Sequence, residues 1–324
     1  MDTLLSGLRA AAEPSRMRLL ALCAHAELTV SELMQIIGQS QPRVSRHLRL
    51  LCEAGLLDRF REGTWAFYRL AEKGRGAELA RVLIDLIPAD DEALTLDLRR
   101  LEAVKQANSD RAAEYFSRNA AEWDKIRTLH IAEAEVEAAL LSLLPETGIR
   151  DFLDIGTGTG RILELFGPRV ERGVGIDLSR NMLSVARAKL QQADLRNCQV
   201  RHGDMYQLPF NGESFDAAVI HQVLHFADDA ADVIDEAARA LRPGGRLVVV
   251  DFAPHELEEL RTEHAHRRLG FEDKEVSRWF RDAGLVPGQV VVLAGNPLTV
   301  CLWSASRAAN DAGTVLREKQ KESA

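Results

Sequence analysis

The stretch that decides the fold of this 324-residue chain is residues 151–160, DFLDIGTGTG. A short apolar strand at 151–155 runs into a glycine loop, and residues 161–166 continue as a helix. A strand, a glycine loop and a helix form the corner at which open parallel sheets bind nucleotides. Arg161 stands where a dinucleotide-binding loop needs its third glycine, which disfavours NAD and FAD. The stretch therefore predicts an α/β domain for another nucleoside-containing ligand.

A spaced carboxylate strengthens this prediction. Residues 174–177 form a second short strand that ends in Asp177, seventeen residues after Gly160. An aspartate at that place can accept hydrogen bonds from both hydroxyls of a ribose. Further strands are predicted at 198–201, 214–220 and 289–293 with 298–304 as a hairpin, and residues 241–250 read as a turn into another strand.

Residues 151–251 together resemble the class I S-adenosylmethionine-dependent methyltransferases. The resemblance implies a Rossmann-like seven-stranded sheet and S-adenosyl-L-methionine as cofactor. It also implies that Asp204 reads the adenine amine, while Met205 stacks on the ring or donates its backbone amide. The expected cofactor-binding residues are Tyr115, Asp154, Gly156, Gly158, Gly160, Asp177, Leu178, Asp204, Met205 and His221.

The methyl acceptor is less well defined by the sequence. Residues 220–225, IHQVLH, lack the Asn/Asp-Pro-Pro-Tyr signature of amino-group methylation on adenine or glutamine. His221 and His225 are the candidate catalytic bases, and the alternative is that either bonds a backbone group near the cofactor. Residues 115–124 resemble the lid of small-molecule methyltransferases, which favours a small acceptor. Arsenic methylation is disfavoured because this part of the chain has only two cysteines.

The first 75 residues predict a winged helix-turn-helix. Residues 29–32, Thr-Val-Ser-Glu, form a capping box that starts a helix ending at Gly38. Ser40 is expected to cap a second helix, with a buried face at Val44, Leu48 and Leu51. A hairpin follows at 58–70, turning at residues 62–63. The second helix is laid out to place its N-terminus in the major groove of DNA.

This segment, 19–70, resembles the ArsR/SmtB family of winged-helix regulators, which implies a homodimer on an operator of double-stranded DNA. Helices at 4–12 and 79–86 are the candidate dimer elements. Residues 28–32 lack the paired cysteines of metal-sensing members, so no metal site is expected. For Arg43 or Arg46 alone, a solvated helix face is the alternative to DNA contact. The expected DNA-binding residues are Ser40, Gln41, Arg43, Ser45, Arg46, His47, Arg49, Arg61 and Thr64.

Charge agrees with this division. The net charge of the whole chain is −8, which by itself speaks against binding to nucleic acid. Residues 1–75, however, hold 11 Lys and Arg against 8 Asp and Glu, a net charge of +3, and the rest of the chain has a net charge of −11. Four widely spaced cysteines fit reduced thiols in a cytoplasmic protein. We find neither a signal-peptide pattern nor an apolar run of membrane-spanning length.

The predicted order is a DNA-binding domain at 1–75, dimerisation, linker and lid helices at 76–145, a methyltransferase domain at 146–306 and a polar tail at 307–324. This order resembles bacterial fusion regulators. It predicts a DNA-binding transcriptional regulator with a methyltransferase domain that acts on a small molecule. The alternative is a regulator without catalysis that senses S-adenosylmethionine or S-adenosylhomocysteine.

Overall fold

The computed structural model describes residues 1–62, 64–71, 73–88, 90–119 and 133–309. The chain divides into two compact units. The first contains Met1–Ala112 together with Glu256–Thr262, and the second contains Ala113–His255 and Glu263–Ala324. No helix among the described residues combines the length and apolar character needed to cross a membrane.

The first unit is a winged helix-turn-helix, as predicted. Its strands form a three-stranded antiparallel sheet in the order β1-β3-β2. Its elements, in chain order, are α1 Asp2–Ala11, α2 Pro14–His25, β1 Leu28–Thr29, α3 Val30–Ile37, α4 Gln41–Glu53, β2 Leu57–Glu62, β3 Trp65–Leu70, α5 Arg75–Asp85 and the part of α6, Glu92–Asn119, that precedes Ala113. Gly63, part of the predicted turn, lies outside the described residues.

Local sequence explains the helix-turn-helix. Thr29 and Glu32 form the predicted capping box at the start of α3, and Gly38 ends that helix at φ +69°. Val44, Leu48 and Leu51 are fully buried on α4. The prediction for Ser40 was wrong in one respect. Ser40 occupies the N-cap position of α4, but its side chain makes no capping hydrogen bond, so the helix starts there without that stabilisation.

A buried ion pair anchors α6 within the first unit. Asp97 is fully buried, and its Oδ1 accepts a hydrogen bond from Arg18 of α2 at 2.6 Å. Arg100, one turn later, donates to the backbone oxygen of Ile36 at 2.9 Å. Side chains on one face of α6 therefore hold both α2 and α3.

The second unit is built on a seven-stranded sheet with the order β6-β5-β4-β7-β8-β10-β9. Strands β4 to β8 are parallel, and β10 runs antiparallel to both its neighbours. The elements are α7 Glu133–Leu143, β4 Asp151–Ile155, α8 Arg161–Phe166, β5 Arg172–Asp177, α9 Arg180–Gln192, β6 Cys198–His202, β7 Phe215–His221, α10 Ala230–Ala240, β8 Leu241–Phe252, α12 Asp273–Asp282, β9 Leu285–Leu293 and β10 Val300–Arg307. The short helix α11, Glu259–Glu263, follows β8 in the sequence, but its residues up to Thr262 belong to the first unit.

Strand order determines where a ligand can bind. The chain passes from β4 to β5 on one side, and β7 pairs with β4 on the other side. Open α/β sheets bind ligands at such a switch point, beyond the carboxyl ends of the strands. The glycine loop follows β4, Asp177 is the last residue of β5 and His221 is the last residue of β7. The topology therefore brings these groups to one edge of the sheet.

One strand boundary differs from the prediction. Residues 241–245, LRPGG, are predicted as a turn but belong to β8. The pairing of β7 with β8 is irregular here, since Phe215 pairs with Leu241 whereas Ala217 pairs with Arg246. Gly244 sits at φ +80° within this irregularity. The turn residues are therefore absorbed into an irregular strand.

Candidate cofactor, acceptor and DNA-binding sites

The glycine loop has the backbone shape that a ligand cradle needs. Gly156, Gly158 and Gly160 have φ of +72°, +52° and +84°, a region that other residues rarely adopt. A Cβ on Gly156 would lie 2.3 Å from Cγ2 of Val223, so no larger residue fits there. Asp154 is buried, and its Oδ2 accepts from the Thr157 hydroxyl at 2.5 Å. The hydrogen bond to Asp154 therefore helps to fix the position of Thr157 in the glycine loop.

The carboxylate of Asp177 is held beside this loop. Its Oδ2 accepts from the Gly158 amide at 2.8 Å and its Oδ1 from the Ser179 amide at 2.7 Å. Burial raises the pKa of Asp177 above its ordinary value, against the opposing effect of these two amides and of His202. Leu178 is 40% exposed beside it. An oriented carboxylate next to a glycine cradle fits the ribose and the methionyl end of S-adenosylmethionine.

The predicted adenine-reading residues follow β6. Asp204 accepts from the backbone amide of Tyr206 at 2.9 Å, which fixes the turn after the strand. The Tyr206 hydroxyl in turn accepts from the amide of Asp228 at 2.7 Å. Met205 is partly buried against the core of the sheet. Tyr115 belongs to α6, but its side chain lies outside the described residues, as do residues 120–124 of the predicted lid.

A histidine–aspartate pair lies at the carboxyl ends of β7 and β8. His225 is 3% exposed, and its Nδ1 lies 2.8 Å from Oδ1 of the fully buried Asp251. The other oxygen of Asp251 accepts from the backbone amide of His225 at 3.3 Å. The carboxylate thus fixes both the position of the ring and the tautomer with the proton on Nδ1. In that tautomer Nε2 is the nitrogen that accepts a proton.

Aromatic rings surround this pair. His266 stacks on His225 with centroids 4.0 Å apart, and Phe226 and Phe252 lie at 4.2 and 5.3 Å. The backbone oxygen of His225 accepts from the amides of Arg267 and Arg268. His221, the other candidate base, is half-buried at the end of β7. Within the described ranges, no group of three His, Cys, Asp or Glu residues has the arrangement for a metal ion.

The predicted DNA-binding residues on α4 divide into two sets. Gln41, Arg43, Arg46 and Arg49 are exposed on the helix, whereas Ser45 is half-buried. His47 is also half-buried, with Nδ1 3.8 Å from Oε2 of Glu13.

The pKa of His47 bears on its predicted role. Burial lowers the pKa of His47 below its ordinary value, the charges of Arg16, Arg43 and Arg46 lower it further, and Glu13 acts in the opposite direction. His47 is therefore neutral at pH 7 and does not act as a cation toward phosphate. On the wing, Arg61 and Thr64 are exposed.

Sequence reasoning missed two acidic residues at these sites. Asp251 ends a run of three buried valines, and a carboxylate that closes a buried strand is a signal that was available. Glu258 contacts the wing at Thr64 from a position 194 residues away in the sequence. No local pattern connects two such distant residues.

Both predicted parts match known families. Residues 13–59 match the family described as bacterial regulatory protein, arsR family. Residues 153–249 match the family described as methyltransferase domain. The first range covers the helix-turn-helix, and the second begins in β4, the strand before the glycine loop, and ends in β8.

Curated relatives named as methyltransferases are similar to part of the chain. A Bacillus subtilis protein named uncharacterized methyltransferase YcgJ is 33% identical over 105 residues, which cover 32% of this chain and 42% of that protein. The demethylmenaquinone methyltransferase of Listeria welshimeri is 35% identical over 127 residues, 38% of this chain and 52% of that enzyme. The chain therefore spans about half the length of the curated relatives that it matches.

A solved structure has the same fold. A Haloferax volcanii protein assigned as a methyltransferase, in complex with the Trm112 methyltransferase activator, superposes with a TM-score of 0.51 at 22% identity. The match covers 60% of this chain and 97% of that protein. Residues 13–59 are thus similar to regulators of the arsR family and residues 153–249 to methyltransferase domains, and the solved structure agrees with the fold of the second unit.

Proposed function

We propose that the protein is a DNA-binding transcriptional regulator whose second unit binds S-adenosylmethionine and methylates a small molecule. The observation that carries the cofactor assignment is the Asp177 carboxylate, oriented by two backbone amides beside three glycines with positive φ. The DNA assignment rests on the exposed arginines at the start of α4 and on the family match of residues 13–59.

The residues that would hold the cofactor lie at the ends of three strands. The glycine loop after β4 would receive the methionyl part, Asp177 the ribose, and Asp204 with Met205 the adenine. When bound, S-adenosylmethionine supplies an electrophilic methyl group. The chain's own contribution is to fix the two reactants in line and to exclude water.

His225 is the residue that we assign as the base. Asp251 holds the ring through Nδ1, so Nε2 is set to take a proton from a hydroxyl or another acidic group of the acceptor. The aromatic rings around His225 favour a flat acceptor, in keeping with the demethylmenaquinone named as the substrate of one relative. His221, at the end of β7, is the second candidate.

We infer that the protein acts on DNA as a homodimer. Leu4, Leu5 and Leu8 on α1 are 40–46% exposed, and Val82 and Leu86 at α5 are 55% and 73% exposed. The two helices pack closely, since a Cβ on Gly7 would lie 2.5 Å from Leu79. A second copy that covers these exposed apolar side chains would form the dimer.

Three measurements on the full chain test the proposed function. The protein is used to select duplexes from a random-sequence pool, and affinity for a selected duplex is measured at fixed salt. Arg46→Ala is expected to weaken it by about 1–3 kcal/mol, and Arg99→Ala on α6 removes the same charge away from α4 as a control. Equal losses in both variants would show that Arg46 contributes only general charge.

The remaining measurements concern the second unit. Calorimetry is expected to detect S-adenosylmethionine binding, and a product assay over flat hydroxylated acceptors is expected to detect methyl transfer. Cofactor binding that changes DNA affinity, without transfer to any acceptor, would favour a non-catalytic sensor instead. Absence of cofactor binding would refute both functions of the second unit.

A further inference from the structure

The tip of the wing is held by a carboxylate from a distant part of the chain. The backbone amide of Thr64 donates to Oε1 of Glu258 at 2.6 Å. Glu258 lies in the segment Glu256–Thr262, which belongs to the first unit although it follows β8 in sequence. The wing at Thr64 is therefore in contact with the segment Glu256–Thr262, which is distant from it in the sequence.

An arginine of the same segment secures the contact. Arg261 pairs with Glu258 at 3.1 Å, and its guanidinium lies 4.7 Å from the ring centre of Trp65 and 5.9 Å from that of Phe67. Its side chain is 2% exposed. A guanidinium over aromatic faces is attracted to them, the more so when it is shielded from water. The segment is therefore fastened to β3 as well as to the amide of Thr64.

The charge of Glu258 is maintained at neutral pH. Burial alone would raise its pKa, but the Thr64 amide and the Arg261 guanidinium together lower the pKa below the ordinary value. The segment carries three glutamates and one arginine, so it brings net negative charge to the wing.

The position of this carboxylate conflicts with DNA binding by the wing. Backbone amides at the exposed ends of DNA-binding elements typically donate to phosphate oxygens. Here an anionic oxygen of the protein already accepts from such an amide. A DNA backbone approaching this tip would meet like charge and an engaged donor.

We propose that Glu256–Thr262 is an autoinhibitory latch, in which Glu258 occupies on the wing the place of a DNA phosphate. The inference rests on the proposed DNA binding and adds its regulation. The latch must leave Thr64 before the wing engages DNA. Because the segment continues in the chain into the loop that carries His266 in the second unit, ligands of that unit are the expected source of its release.

Two alanine variants of neighbouring glutamates test the latch. Glu258→Ala removes the carboxylate that bonds Thr64, whereas Glu256→Ala removes the same charge from an exposed position of the same segment. At fixed salt we expect Glu258→Ala to tighten binding to the selected duplex by about 3- to 10-fold, because an anion competing for the amide is gone. Glu256→Ala is expected to change it by less than about twofold.

Arg261→Ala separates the latch from direct contact with DNA. If Arg261 itself met phosphate, its removal would weaken binding. The latch predicts tighter binding instead, because Arg261 fastens the inhibitory segment to Trp65 and Glu258. Weaker binding of this variant, or equal binding of Glu258→Ala and Glu256→Ala, would overturn the proposal.

A readout without DNA tests the contact itself. Hydrogen–deuterium exchange of the Thr64 amide is expected to accelerate in Glu258→Ala and in Arg261→Ala but not in Glu256→Ala. Unchanged exchange in the first two variants would show that the latch does not form. If no variant binds any duplex, the proposed DNA function fails and the inhibitory role fails with it, while exchange still reports whether the contact exists.

Discussion

The two ends of the crevice in the second unit are built from different kinds of groups. At the ends of β4 and β5, backbone amides and glycines with positive φ surround one carboxylate, Asp177. At the ends of β7 and β8, the groups are the side chains of His225, Asp251 and His266. We expect the first end to recognise a ligand through backbone shape and the second to contribute to chemistry through its side chains. The first end should therefore control binding and the second turnover.

The largest effect is expected at the side-chain end. His225→Asn removes the proton acceptor, and general-base catalysis contributes about 10²- to 10⁴-fold. We expect turnover to fall by such a factor while calorimetry finds unchanged affinity for S-adenosylmethionine. His221→Asn is the matched control, because His221 is the last residue of β7, the strand that precedes His225. This variant should retain most of the turnover.

The opposite result from these two variants would assign the base to His221. Asp251 acts through His225, so Asp251→Asn should change the pH profile of turnover as well as its height, since the orienting acceptor of Nδ1–H is lost. Loss of cofactor affinity in His225→Asn would show that the two ends are not separate in function.

A smaller effect is expected at the backbone end. Asp177→Asn replaces a carboxylate that can accept from two ribose hydroxyls, and charge-assisted hydrogen bonds contribute about 1.5–3 kcal/mol each. Affinity for the cofactor is therefore expected to fall by about 10²- to 10³-fold. Asp204→Asn, which alters one contact to the adenine, should cost about tenfold or less. Equal losses in both variants would remove the ribose assignment.

The two ends also differ in how far the sequence predicts them. The strand at 151–155, the helix at 161–166 and the loop between them were located correctly because their residues are contiguous and glycine tolerates positive φ. Asp251 was missed because its contact with His225 depends on the pairing of β7 with β8, including an irregularity that absorbed a predicted turn.

In the first unit, too, the sequence predicts local patterns but not contacts between distant residues. The capping box at Thr29 is a local pattern of four residues, and it is present as predicted. Ser40 has the right residue type and position, yet its hydroxyl makes no capping bond, because the sequence fixes the residue but not its rotamer. The contact of Glu258 with Thr64 spans 194 residues and follows from tertiary packing alone.

The smallest predicted effect is a dependence of cofactor affinity on pH. Because burial raises the pKa of Asp177, protonation of this carboxyl in the free protein begins at a higher pH than for an ordinary aspartate, for which the pKa is 3.8. The ribose hydroxyls need the ionised form as a double acceptor. Affinity measured by calorimetry should therefore fall as pH is lowered through that range, by at most about tenfold per pH unit.

Asp177→Asn supplies the control for this dependence, since an amide does not titrate. The affinity of this variant, although weaker, should not decline on the acid side, and a decline that persists in the variant would assign the pH dependence to another group. Ionisation of Asp177 has the opposite effect on the stability of the folded, ligand-free protein. A carboxyl with a raised pKa in the folded state destabilises the ligand-free protein when it ionises, whereas an asparagine leaves one of the two backbone amides of Gly158 and Ser179 without its acceptor. The two effects oppose each other, so we expect Asp177→Asn to melt close to the wild type at neutral pH. Its loss of affinity would then reflect the site rather than unfolding.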